Sequence, residues 1–133
     1  MTSKAPWVIA AVAAAATAAA VVTTKDASGS THPEPRAGIT AAEVLTGDEI
    51  PRTPGAVEAY AAARNAAPTL DGLYCHCDCS KHAGHRSLLT CFQSDHGAYC
   101  DVCMGEAMLA NQLAGRGTSL QDIRTAIDRQ FGS

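Results

Sequence analysis

Cysteine and histidine crowd into one stretch of this chain: Cys75-His76-Cys77-Asp78-Cys79, then His82, His85, Cys91 and His96, and finally Cys100-Asp-Val-Cys103. All six cysteines of the 133-residue chain fall within 29 consecutive positions. Thiolate sulfur is a soft ligand that selects monovalent copper, zinc or iron–sulfur clusters, and imidazole suits zinc and copper. Zinc asks for a tetrahedron, which two thiolates of the C-x-C-x-C run and the Cys100/Cys103 pair could supply. Copper could use the same thiolates with help from a histidine or methionine. The pair Cys100-x-x-Cys103 sits where a helix is expected to start, and the peptide dipoles there lower a thiol's pKa. Thiolate both binds metal and attacks disulfides, so the spacing suits either chemistry.

The candidate ligands are therefore Cys75, Cys77, Cys79, Cys100 and Cys103, followed by His85, with Cys91, His82 and His96 as auxiliaries. Met104 and Met108, four residues apart beside Cys103, read as core residues at helical spacing, and His32 reads as a solvated side chain. Two alternatives stand beside metal. One is a disulfide framework, since an oxidising compartment would favour bridges and six cysteines allow 15 full pairings. Cysteines two apart rarely bridge each other, so the run would need Cys91, Cys100 and Cys103 as three separate partners. The other is a redox pair, Cys100 attacking and Cys103 resolving, although the βαβ context of thioredoxin-like sites is missing. His82 and His85 favour metal, because a disulfide scaffold has no use for them.

The elements that must position these side chains read as helices. Ala56–Ala67 carries Val57, Tyr60, Ala61 and Arg64 at helical spacing and ends at Pro68. Arg86–Gln93 reads as a short helix burying Leu88, Leu89 and Phe92. A helix starts near Asp101 and ends at Gly115-Arg-Gly117. Overlapping caps at Thr118 and Ser119 open a last one, with Leu120, Ile123, Ile127 and Phe131 on one face. No stretch alternates with period two. The fold class is mostly α: a small helical domain around a Cys/His-rich loop.

Composition bounds the rest. Alanine accounts for 27 residues, so the 47% apolar fraction overstates the core. Leu, Ile, Val and Phe total 22, and only 13 of these lie from residue 55 onward. So thin a core is offset with difficulty against chain entropy, and small domains of this kind usually add disulfides or a metal. The net charge of −3 and the lack of a basic patch argue against a nucleic-acid partner. Residues 5–22 are uncharged and follow Lys4, as in a signal peptide or membrane anchor. The expected organisation is 1–22 export segment or anchor, 23–53 flexible linker, and 54–133 Cys/His-rich domain. Thr40-Ala-Ala-Glu43 could open a helical turn within the linker.

The stretch Leu73–Ala107 resembles the bacterial CYCXC or PCYCGC-motif proteins, an exported family with selenocysteine-containing members. Cys75, Cys77 and Cys79 carry the resemblance, with Gly84-His85, Ser87-Leu88, Cys91-Phe92, His96-Gly97 and Cys100-x-x-Cys103. Ile50-Pro51, Ala59-Tyr60 and Pro68 extend it over residues 50–131. Two departures are His76, where an aromatic residue is usual, and Tyr74, where proline is. The resemblance implies an exported domain whose thiolates do chemistry or bind a soft metal. The expected function is an extracytoplasmic metal-binding protein that holds copper or zinc for sequestration or transfer. A metal-accepting or redox protein would be its partner, and the membrane too if residues 5–22 are uncleaved. The reading favours a non-enzymatic role; a thiol–disulfide oxidoreductase or a disulfide-stabilised interaction module is the alternative. No hydrolase or phosphate-binding motif is present.

Overall fold

The computed structural model describes residues 31–132. The expected export segment, and the linker before residue 31, lie outside the described residues. Among the described residues every regular element is helical: α1 (Ala56–Asn65), α2 (Ala67–Asp71), α3 (Cys79–His82), α4 (Asp101–Gly115) and α5 (Leu120–Phe131). Four 3-10 helices join them, at Ala41–Glu43, Gly47–Glu49, Leu88–Phe92 and Asp95–Tyr99. No described helix is long and apolar enough to cross a membrane.

Pro68, expected to end α1, lies in the first turn of α2, where a missing N–H costs nothing. Ser119 caps α5 by accepting from the Asp122 amide, so one of the two overlapping cap signals is the one used. Ile123 and Ile127 are buried on the predicted face of that helix, while Leu120 and Phe131 pack at its margin.

The buried face of α1 differs from the expected one. Val57 is 59% exposed, whereas Ala56, Ala59, Tyr60 and Ala63 are wholly buried. The reason is the partner: α1 packs chiefly on α4, which buries Ala107 and Ala110. Small residues on both helices let the backbones approach, and a valine there would hold them apart. Tyr60 supplies the bulk instead, its ring edge-on to Phe92 at 4.9 Å and its hydroxyl donating to the Ser94 carbonyl at 2.6 Å. Gly105 plays the same part for α5, since a Cβ there would lie 3.0 Å from the Phe131 ring.

Residues 32–50, expected to be a flexible linker, are docked on the domain as a strap. Asp71, fully buried at the end of α2, receives the Arg36 amide at 2.7 Å, the Arg36 guanidinium at 2.7 Å and Arg86 at 3.1 Å. Burial by itself would push the Asp71 carboxyl up, but the Arg36 hydrogen bonds and the Arg86 charge outweigh it and hold it below its ordinary range. Arg124 donates to the Pro33 carbonyl at 2.7 Å, and Arg64 to those of Ala41 and Val44. Val44 enters the core and the Leu45 amide donates to Phe92 O at 3.0 Å. His32, read as solvated, begins the strap and has its side chain buried against the domain. Thr40 does cap the short turn that follows it, accepting from the Ala42 amide.

Candidate metal centre

Three chain segments deliver the donors. The first leaves α2 through Leu73 and Tyr74 and turns sharply at Cys75–Cys79. A fully extended C-x-C-x-C run would space its sulfurs too widely for one ion, at about 7 Å per pair of residues. Here the Asp78 amide donates to Cys75 O at 3.2 Å, and Asp78 takes the left-handed conformation with φ 59°. The backbone folds on itself and the three sulfurs converge. The Ala83 and His85 amides then both donate to Cys79 O, which carries His85 back over the turn.

The second segment holds Cys91 in the 3-10 helix Leu88–Phe92 and His96 in the 3-10 helix Asp95–Tyr99. Leu88 N donates to Leu73 O at 2.8 Å, which fixes this arm against the first. The third is the first turn of α4, which presents Cys103.

Cys75, Cys79, Cys91 and Cys103 are all buried, and their sulfurs lie within 4.8 Å of one another. The closest approaches are 3.3 Å for Cys75–Cys103, 3.6 Å for Cys79–Cys91 and 3.9 Å for Cys75–Cys79. A zinc–sulfur bond of ~2.3 Å implies tetrahedral sulfur–sulfur edges of roughly 3.8 Å, so with the Cys77–Cys79 pair reduced a closed four-thiolate site fits this cavity with small adjustments. Two further sets overlap it: Cys77, Cys79, His96 and Cys103, and Cys79, His85, Cys91 and His96. His96 Nε2 lies 3.1 Å from Cys79 Sγ and His85 Nδ1 lies 3.3 Å from Cys91 Sγ.

Crowded sulfur sets the local electrostatics. The Cys103 thiol beside Cys75 favours a thiolate at Cys75 and draws its pKa down. Cys103 is pushed up by that same neighbour, then by Cys91 and by burial. Cys91 moves up as well: Cys103 draws it down, but Cys75 and burial prevail. Burial, then the adjacent His96, lowers the pKa of His85 and favours its neutral form.

Seven of the nine sequence-predicted ligands are thus brought together, and two are placed apart. Cys100 is half-buried at the start of α4, where its sulfur accepts the Cys103 amide at 3.4 Å as the helix cap, outside all three sets. His82 is exposed, with Nε2 3.1 Å from the Cys77 carbonyl oxygen. Against the expectation that cysteines two apart rarely bridge, the Cys77 and Cys79 sulfurs are in direct contact as a bonded pair, while the other four cysteines are free. Met104 lines the core as expected, whereas Met108 is half exposed.

The profile of a family described as proteins of unknown function with a PCYCGC motif matches residues 8–133. The chain belongs to the PCYCGC-motif family. The match runs well beyond the resemblance carried by residues 50–131 and takes in the strap. No curated protein and no solved structure matches the chain. Laid on the family's motif, Tyr74-Cys75-His76-Cys77-Asp78-Cys79 keeps the three cysteines and replaces proline, tyrosine and glycine. The glycine position is the left-handed one, which explains why the motif carries glycine there.

His76, in the motif's tyrosine position, points away from the sulfurs. Its amide and Nδ1 meet Glu106 Oε1 at 3.0 and 2.6 Å, and its Nε2 lies 2.9 Å from Asp128 Oδ1. Asp128 also pairs with His32, whose other nitrogen accepts the Tyr74 amide at 2.9 Å. Glu106 is fully buried, and that burial pushes its carboxyl up to about 8. The Glu106 contact draws His76 upward too. This chain of alternating histidine and carboxylate braces the ligand turn from behind, the role that outer groups play around metal ligands. Sequence reasoning missed Glu106 and Asp128. Glu106 had a usable cue, because it lies three residues after Cys103 on one helix face, whereas Asp128 had none.

Proposed function

We propose that this PCYCGC-motif protein holds a thiophilic metal ion outside the cytoplasm, copper or zinc, and sequesters it or hands it to a partner. The observation that carries this reading is the set of four buried sulfurs, Cys75, Cys79, Cys91 and Cys103, within 4.8 Å of one another. Buried thiolates repel unless a cation neutralises them, and a metal does so while joining three separate chain segments. His85 and His96, only partly buried, flank the sulfurs on the side where an ion would enter or leave. Residues 5–22 support export, and through them the membrane is the second partner if they remain attached.

Metal analysis of the purified chain under reducing conditions tests the reading. Zinc or copper should be retained at one or more ions per chain and should leave on exposure to a strong chelator. Reduced protein that takes up neither ion would end the proposal.

The contact between Cys77 and Cys79 favours a second reading, a thiol–disulfide protein. Its reactive pair would be Cys77/Cys79 and not Cys100/Cys103, because Cys100 lies outside the sulfur cluster. The bonded pair would accept two electrons and two protons from a partner's dithiol, opening to two thiols while the partner's sulfurs form the disulfide. A Cys79→Ser variant that traps a mixed disulfide through Cys77, in protein that binds no metal, would favour this reading over the first.

A further inference from the structure

We propose that the centre is built for more than one ion, with the Cys79 sulfur as the ligand they share. The inference rests on the metal-binding reading above and concerns how the ions are arranged. One tetrahedral ion takes four donors, yet once the Cys77–Cys79 bond is reduced seven converge here: five cysteine sulfurs and two imidazoles. If Cys75, Cys79, Cys91 and Cys103 hold one ion, then Cys77, His85 and His96 are left over. None of the three is remote. Cys77 lies 3.4 Å from Cys75 and 3.5 Å from Cys103, His85 lies 3.3 Å from Cys91, and His96 lies 3.1 Å from Cys79. Each left-over donor therefore stands against a sulfur already committed to the first ion.

The chemistry of the donors matches their placement. A thiolate has lone pairs for two metals, whereas an imidazole nitrogen has one. A cluster with shared ligands must then put sulfur at its centre and imidazole at its edge. Cys79 belongs to all three four-donor sets, Cys91 and Cys103 to two each, and all three are fully buried. His85 and His96, like Cys77, are only partly buried.

Charge points the same way. Five ionised sulfurs around one divalent ion would leave three negative charges in a largely buried site, a large desolvation cost. A second divalent ion reduces the excess to a single charge, and His96, common to the second and third sets, is the terminal ligand it would need.

Native mass spectrometry of the reduced full chain, titrated with Zn(II) and separately with Cd(II), decides the matter. The expected result is a species with two or more ions per chain. In the 113Cd-loaded protein, two cadmium resonances should show scalar coupling to each other through the shared sulfur. His96→Ala, a change at a partly buried position of the 3-10 helix Asp95–Tyr99, should saturate at one ion and lose that coupling. Saturation of the unaltered chain at one ion overturns the shared-ligand arrangement and leaves the metal-binding function standing. Uptake of no ion overturns both. Retention of the full ion count by His96→Ala also overturns the arrangement.

Discussion

The Tyr74 hydroxyl donates to Asp78 Oδ1 at 2.6 Å, joining two of the positions at which this chain departs from its family's motif. Where the motif has proline and glycine, the chain has a hydrogen-bonded pair spanning the same turn. Asp78 is the one described non-glycine residue with positive φ, a conformation that costs most L residues energy and aspartate less than most. The Tyr74 hydrogen bond, then Lys81 at 3.0 Å, hold its carboxylate ionised below its ordinary range. Asp78→Gly should thus raise the urea midpoint, and Asp78→Val should lower it. Tyr74→Phe should weaken the unaltered chain but have little effect in the Asp78→Gly background, which a double-mutant cycle would reveal.

Cys100 offers a clean separation of thiol roles. It caps α4 and contributes no sulfur to the three donor sets. Serine is the better helix cap, so Cys100→Ser should stabilise the protein by about 0.5 kcal/mol and leave the number of bound ions unchanged. A lost ion in mass spectrometry would show that Cys100 enters the centre when it is loaded.

The Glu106 carboxyl imposes a pH dependence on the reduced, metal-free protein. Unfolded, this group ionises near 4.5; folded, burial delays that to about 8. Between those values the native state keeps a proton the unfolded chain has released, so its contribution to stability falls as pH rises. Cys75, drawn down, acts in the opposite direction. The informative quantity is the stability of the unaltered chain minus that of Glu106→Gln. It should shrink by on the order of 2 kcal/mol from about pH 5 to about pH 8. A difference that stays flat in urea titrations would mean that Glu106 is ionised throughout.

Gly97 is packed tightly enough that a side chain would force its neighbours to shift. A Cβ there would lie 3.0 Å from the Cys91 carbonyl oxygen and 3.0 Å from two atoms of the Phe92 ring. Gly97→Ala should cost about 1–3 kcal/mol by overpacking. Because His96 is the adjacent residue, metal capacity should fall along with stability. The urea midpoint and the ion count of the same preparation measure the two effects.

Local signals made much of the fold legible. Helices α4 and α5 follow from apolar periodicity, Gly115 and the Ser119 cap, whereas Pro68, expected to end the first helix, lies in the first turn of α2, after α1 has ended at Asn65. The α1 face was less legible, because an alanine-rich helix has several nearly equivalent apolar faces and only α4 selects among them. The sulfur cluster was legible from residue type, but the exclusion of Cys100 depends on how a helix start aims its cap. The docking of the strap left no local trace beyond the Thr40 turn. Arg36 and Asp71 are 35 residues apart, and nothing in a polar, proline-bearing segment announces which buried carboxylate it will meet.

That strap also determines whether the sulfur centre is portable. A fragment starting at residue 54 would carry every candidate ligand and look like a self-sufficient cassette. It would nonetheless lack Arg36, leaving Asp71 with Arg86 and Ser87 as its side-chain partners, and it would lack His32, which accepts the Tyr74 amide one residue before the first cysteine. Val44 would be missing from the core as well. Grafting the cysteine loop into another scaffold, or trimming the chain for expression, should therefore begin upstream of His32.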